Sequence, residues 1–194
     1  MQKANNIKSI LLVGVGGQGI LRASDIISLV MVEADFDVKK SEVHGMAQRG
    51  GCVTSYVRFG RKVYSPLALK GEVDILVSFE KLETLRYLDF MKPDGIIIIN
   101  DNELYPPAVN LGDAEYPTNV VETVRAIFKS VKVIDAAKLA KEAGNARAEN
   151  TVLLGALSHY LDIERPIWEA IIKRSFPEKS IAVNLRAFNM GRKE

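Results

Sequence analysis

Three glycines, Gly14, Gly16 and Gly19, stand at the spacing G-x-G-x-x-G, directly after the apolar run Ile7 to Val13 and before a stretch of helical periodicity. At that spacing the first glycine permits a tight turn, the second lets a phosphate approach the backbone, and the third lets helix and strand pack closely. The free amides opening the following helix favour an anion. Gly17 adds backbone access, and the Gln18 amide beside it can donate and accept hydrogen bonds. Neither is needed for simple packing. Glu42 follows about 20 residues later, near the end of the second strand candidate, where a ribose-binding carboxylate belongs. The spacing alone leaves three uses open: a dinucleotide site, tight packing without a ligand, and contact with a cofactor held by another chain.

A second cluster lies at Ser41 to Gly51, SEVHGMAQRGG. It gathers a carboxylate (Glu42), an imidazole (His44), an amide (Gln48) and a guanidinium (Arg49), with Gly45, Gly50 and Gly51, in a loop after a strand. Loops at the carboxyl ends of a doubly wound sheet line the ligand crevice, so this loop and the Gln18 turn are expected to be neighbours. Arg49 can hold a carboxylate or phosphate with two prongs, and Glu42 can fix that arginine or an approaching hydroxyl. Plainer uses stand beside these. His44 can serve as a base or simply make structural hydrogen bonds. The other histidine, His159, lies in a distant helical segment, which leaves a metal short of ligands. Arg49 can order its loop or an interface, Glu42 can pair with Arg49 or a lysine, and Gln18 can cap the turn.

The remaining composition narrows the classes. At 194 residues the chain fits one domain, 1–194, able to bury a core of its own. Hydrophobic residues at 47% and charged residues at 26% describe a globular protein rather than a disordered one. Lys and Arg total 26 against 24 Asp and Glu, so neither nucleic acid nor an anionic membrane is expected as the main partner. Cys52 is the only cysteine. That excludes an intrachain disulfide and a four-thiolate cluster built from this chain alone, and a small buried residue is its expected role. The N-terminal apolar run breaks at glycine too early for a signal peptide, and no stretch approaches the roughly 20 apolar residues of a membrane helix. A cytoplasmic location is expected.

These residues need a scaffold. Strands are expected at Ile7–Val13, Asp37–Val43, Asp74–Phe79, the GIIIIN run after the Pro93-Asp94-Gly95 turn, and Val131–Asp135. Cys52 to Phe59 alternates and is followed by GRK and VYSPLAL, which reads as a hairpin turning at Gly60 and Arg61, with Arg58, Arg61 and Lys62 as a basic tip. Helices are expected at Ile20–Ala34, Glu80–Met91, Val120–Phe128 and from Ala136 onward, with breaks near Gly144, Pro166 and Pro177. In this last stretch Trp168, with Ile167 and Ile171, is expected in the core or at a subunit contact. Asn150, if buried, is expected to order helix packing. The fold class is α/β: a single-domain, doubly wound, mostly parallel sheet with an inserted hairpin and a helical C-terminal third.

GVGGQGI followed by SEVHGMAQRGG resembles the gamma-domain family of 2-oxoacid:ferredoxin oxidoreductases, and specifically the beta subunits of its indolepyruvate branch. GGQG is shared across that family, whereas EVHGMAQRGG is particular to the branch. The NARAENTVLLGAL run, Asn145 to Leu157, also resembles the family's helix, with Asn150 and Gly155 in place. The resemblance covers most of the chain. It implies the small subunit of a heteromer that oxidatively decarboxylates aryl pyruvates to aryl-acetyl-CoA and reduces ferredoxin. It places thiamine diphosphate, Mg and the iron-sulfur clusters in a large alpha subunit, with coenzyme A as co-substrate and no cofactor held by this chain alone. Cofactors carry the hard chemistry in such enzymes, so this chain is expected to be silent by itself. The implied site is Gly14, Gly16, Gly17, Gln18, Gly19, Glu42, His44, Gln48, Arg49, Gly50 and Gly51, bordering the partner's cofactors. A stand-alone dinucleotide-dependent reductase, or the equivalent subunit of a pyruvate or 2-oxoglutarate enzyme, are the competing readings.

Overall fold

The computed structural model describes residues 7–44 and 51–194. Among them runs one sheet in the order β2-β3-β1-β4-β5-β6. Its strands are β1 (Lys8–Val15), β2 (Asp37–His44), β3 (Cys52–Gly60), β4 (Val73–Ser78), β5 (Met91–Asn100) and β6 (Ser130–Ile134). β1, β4, β5 and β6 pair in parallel, and β3 runs antiparallel to both β1 and β2. The helices are α1 (Ile20–Glu33), α2 (Lys81–Arg86), α3 (Pro107–Asn110), α4 (Val120–Ile127), α5 (Ala136–Ala143), α6 (Glu149–His159), α7 (Arg165–Ser175) and α8 (Glu178–Lys193).

The strands read as unbroken apolar runs because both faces are covered. Ile10 and Leu12 face a core built with α1 and α5 to α8. Leu11 and Val13 face a second core with residues of β4, β5 and α4. The breaks expected near Gly144, Pro166 and Pro177 are helix boundaries. Gly144 ends α5 at φ 108, Pro166 sits in the first turn of α7, and Pro177 precedes α8. The helical C-terminal third closes over one face, with Trp168 fully buried and stacked on Phe188 at 5.7 Å.

Two expectations about the strands need correction. The hairpin does not turn at Gly60 and Arg61: among residues 61–72 no strand forms, and β3 instead pairs back to β2 and inward to β1. The hairpin is therefore β2–β3, joined through residues 45–51. Side chains satisfy part of the segment after β3. Val63 N donates to Asp37 Oδ2 at 2.9 Å, and Arg58 Nη1 donates to Leu67 O at 2.5 Å. Pro66 within it cannot donate to a ladder. Arg58 is thus a brace that also reaches Ser9 Oγ at 3.1 Å, not part of a solvated tip. The second correction concerns Pro93-Asp94-Gly95. Here the chain stays within β5, and a register irregularity opposite Val73 to Ile75 absorbs the residues between Met91 and Ile96. A turn-like tripeptide has become a bulge.

Candidate functional site

Parallel strands bring the ends of β1, β4 and β5 to one crest of the sheet, where the glycine turn begins. Gly14 is required there by packing. A Cβ on it would stand 2.6 Å from Gln18 Oε1 and 2.8 Å from Phe79 Cβ. Gln18 explains that crowding: its Oε1 accepts from Val15 N at 2.7 Å and its Nε2 donates to Phe79 O at 2.9 Å. One side chain thereby ties the end of β1 to the end of β4. Asn100, ending β5, donates to the same Phe79 O at 3.3 Å and accepts from Ala136 N at 3.2 Å.

Gly17 behaves differently. It holds φ 107, a left-handed value that favours glycine, and a Cβ there would meet nothing within 4 Å. Its backbone faces open space. Gly19 is also left-handed at φ 81 and caps α1 without a side-chain bond. The opening amides of α1, Ile20, Leu21 and Arg22, meet no acceptor among the described residues.

Clefts of about 510 and 620 Å³ share Gly16, Gly17 and Gly19, within the size range of ligand sites. The larger also takes in Asn150 and Arg147. Asn150 is only 7% exposed. Its Oδ1 accepts from Thr151 Oγ1 at 3.3 Å, yet its Nδ2, packed against Gly19, donates to no described acceptor. The exposed Arg147 side chain likewise makes no ion pair or hydrogen bond among the described residues. An amide donor and a guanidinium unpaired among the described residues line the cleft beside the open glycine and the N-terminus of α1, a set that suits a phosphate or carboxylate. Glu149 also lines this cleft, and Asn100 Nδ2 donates to its carboxylate at 3.4 Å. Arg147 and the placement of Asn150 were missed from the sequence, because nothing in their spacing refers to Gly19.

The second loop meets the turn as expected at its far end. Gly16 N donates to Gly51 O at 2.9 Å, and Val15 pairs with Cys52. His44 ends β2 opposite Val53; its side chain and all of Gln48, Arg49 and Gly50 lie outside the described residues. Glu42 is in β2, with β3 between it and β1. It accepts from Lys40 Nζ at 2.6 Å, and Lys40 also pairs with Asp25 on α1. Two strand spacings, roughly 10 Å, thus separate Glu42 from β1. It stands as a neighbour of α1 rather than beside the Gly14 turn.

Cys52 is half-buried, not fully buried, with Sγ 3.2 Å from Tyr87 Oη. Burial, reinforced by the adjacent Glu83 carboxylate, pushes its thiol up to about 11. It is therefore a neutral thiol at physiological pH and not an activated nucleophile. Beyond it lies a third cleft, of about 540 Å³, reached from Val15 and Gly16 and floored by Glu80 and Glu83. Glu80 accepts from Glu83 N at 2.9 Å, Leu104 N at 3.2 Å and Tyr116 Oη at 2.5 Å. Burial and that carboxylate raise the Tyr116 hydroxyl far above its usual range. No helix among the described residues is long and apolar enough to cross a membrane.

Comparison with known proteins accounts for this architecture. The pyruvate ferredoxin/flavodoxin oxidoreductase family model matches residues 9–194. Indolepyruvate oxidoreductase subunit IorB of Thermococcus kodakarensis is 40% identical over 190 residues, covering 94% of this chain and 93% of that one. The Pyrococcus horikoshii subunit of the same name is 38% identical with the same coverage. Among solved structures, the gamma subunit of a keto/oxoacid ferredoxin oxidoreductase from Geobacter sulfurreducens superposes with a TM-score of 0.73 at 19% identity, covering 97% and 95% of the two chains. A 2-oxoglutarate:ferredoxin oxidoreductase from Magnetococcus marinus superposes at 0.72 with 23% identity over 96% of this chain but only 30% of its own. With the family match spanning nearly its whole length, the chain belongs to the pyruvate ferredoxin/flavodoxin oxidoreductase family.

Proposed function

We propose that this chain is the small subunit of an indolepyruvate-type 2-oxoacid oxidoreductase, and that its crest contributes an anion-binding surface to chemistry carried out in a larger subunit. The observation that carries the reading is the open, positive-φ Gly17 sharing its cleft with donors that have no acceptor among the described residues, in a chain whose near-full-length relatives bear the indolepyruvate subunit name. The overall reaction is oxidative decarboxylation of an aryl pyruvate, with the acyl group passing to coenzyme A, carbon dioxide leaving and electrons going to ferredoxin. Thiamine diphosphate, Mg and iron-sulfur clusters in the large subunit supply the carbanion stabilisation and the electron path.

The residues of this chain fit the coenzyme A side. The opening amides of α1, Asn150 Nδ2 and Arg147 suit phosphate oxygens, and Gly17 lets them come close to the backbone. The Magnetococcus enzyme containing this fold was solved with coenzyme A bound. Gly51 meets the turn through its contact with Gly16, and we assign His44, Gln48, Arg49 and Gly50 to the same site from the sequence alone. Arg49 is assigned to a carboxylate or phosphate. Work takes place in the cytoplasm, where ferredoxin and coenzyme A are available.

Reconstitution with the large subunit tests this directly. The complex should reduce ferredoxin when given indolepyruvate and coenzyme A, and the isolated small chain should do nothing. Turnover by the isolated chain, or its tight stoichiometric binding of NAD(H), would instead establish the stand-alone reductase. Rates with pyruvate, 2-oxoglutarate and indolepyruvate separate the branches of the family.

A further inference from the structure

Glu83 is buried without a structural reason of its own. Its residue is 6% exposed and it sits in the first turn of α2. A glutamate at this position can complete a capping box by reaching back to the cap amide. Here the cap is made only by Glu80, which accepts from Glu83 N. Glu83 Oε1 takes Arg86 Nε at 3.2 Å, and Oε2, fully shielded from solvent, has no hydrogen-bond partner among the described residues. The Cys52 thiol, also in contact with Tyr87, hydrogen-bonds to the Glu83 carboxylate, but a thiol is a weak donor. A buried carboxylate oxygen left in this way is costly until a strong donor reaches it.

The wall above it is apolar and held still. Leu104, Tyr105, Pro106, Pro107 and Asn110 line the same cleft as Glu83. Leu104 is 41% exposed, Tyr105 54% and the adjoining Leu111 77%. Their segment is anchored rather than loose: Leu104 N and Tyr116 Oη both bind Glu80, Lys81 pairs with Asp101 at 2.5 Å and Glu103 at 3.0 Å, and the Tyr105 ring packs on Tyr116 at 5.1 Å. Exposed apolar side chains on a braced backbone are preorganised for docking. Among the described residues the cleft floor carries two carboxylates against one guanidinium, that of Arg86, so it is complementary to a cation. In the Magnetococcus chain this fold is joined to more than its own length of further protein.

Resting on the small-subunit reading, we infer that this cleft is a docking socket for the larger subunit, which inserts a lysine or arginine side chain towards Glu83 while its apolar flanks cover Leu104, Tyr105 and Leu111. Apolar walls such as Leu104 and Tyr105, covered by the partner around a charged anchor, are the usual composition of an interface hot spot. A partner cation would supply the donor that Oε2 lacks.

The test uses the full chain and the larger subunit, purified separately, with affinity measured by biolayer interferometry and folding by thermal melting. Glu83→Gln should weaken binding roughly 30-fold or more, the size expected when one partner of a buried charge pair is removed. The double variant Leu104→Ser/Leu111→Ser should weaken it roughly tenfold. Because those two side chains are exposed, that variant decides the matter if Glu83→Gln fails to fold. Tyr64→Ser/Leu69→Ser, on the exposed segment following β3, serves as the matched apolar control and should stay within about twofold of wild type. Wild-type affinity in the folded socket variants overturns the socket while leaving the small-subunit reading intact. So does loss of binding confined to the Tyr64/Leu69 variant. Failure of the unmodified chain to bind the larger subunit at all overturns both.

Discussion

Glycine is used in two places in this molecule for opposite purposes. Where α6 crosses α8, a Cβ on Gly155 would fall 2.1 Å from Phe188 O, and one on Gly191 would fall 1.9 Å from Val152 O. The two backbones occupy the space a side chain needs. At the crest, a Cβ on Gly17 would meet nothing. In the first place glycine is present because another part of the chain is there, and in the second because no described residue fills the space and the backbone must turn left-handed. Close approach within a fold serves stability. Close approach to open space leaves room for a ligand, and Gly17 shares its cleft with Asn150, whose Nδ2 packs against Gly19 and has no acceptor among the described residues.

The contrast can be broken or sharpened by substitution. Gly191→Ala or Gly155→Ala should have the largest effect on folding, about 3 kcal/mol, because the intruding methyl meets backbone that cannot swing aside. Urea unfolding of the isolated chain measures it, and a loss below about 1 kcal/mol would mean the helices separate easily. Gly14→Ala should cost about 2 kcal/mol by the same method, since Gln18 and Phe79 must both shift. Gln18→Ala should cost about 1–2 kcal/mol, removing two hydrogen bonds and leaving Val15 N unpaired.

Gly17→Ala belongs on the other side of the contrast. Strain at positive φ should cost about 1 kcal/mol, with no clash to add to it. The reconstituted complex should nevertheless show a clearly raised KM for coenzyme A. An unchanged KM would reduce the open glycine to a feature of the turn. Smallest of all in stability should be Arg49→Ala, which leaves the melting of the isolated chain unaltered while lowering activity of the complex at limiting 2-oxoacid and coenzyme A. Undiminished turnover under those conditions removes Arg49 from the site.

The crest also shows how far local pattern reaches. Gly14 to Gly19 announce a strand–turn–helix because each glycine answers to residues a few positions away, and Gln18 completes that turn from within. The alternation of Cys52 to Phe59 correctly marks a strand. It says which side chains face which way, but not which strand lies alongside, and local pattern alone pairs it with VYSPLAL rather than with β2. Pro93-Asp94-Gly95 carries turn chemistry that the sheet absorbs as a bulge, a case of tertiary pairing overriding a local preference. Glu42 has the sequence separation of a ribose-binding acid, but the insertion of β3 moves it away from β1.

Composition and short-range pattern were enough to determine a doubly wound α/β domain, a glycine turn opening at the crest of the sheet, and a chain too poor in thiols for a four-thiolate cluster of its own. These follow from backbone geometry and side-chain type within about one turn or strand. Only the folded chain decided that Asn150 comes to Gly19, that Glu83 is left with a bare carboxylate oxygen beneath Leu104, and that β3 enters the sheet beside β1. Each joins residues at least 21 positions apart in the chain, and such meetings are set by how whole helices and strands pack rather than by any local preference.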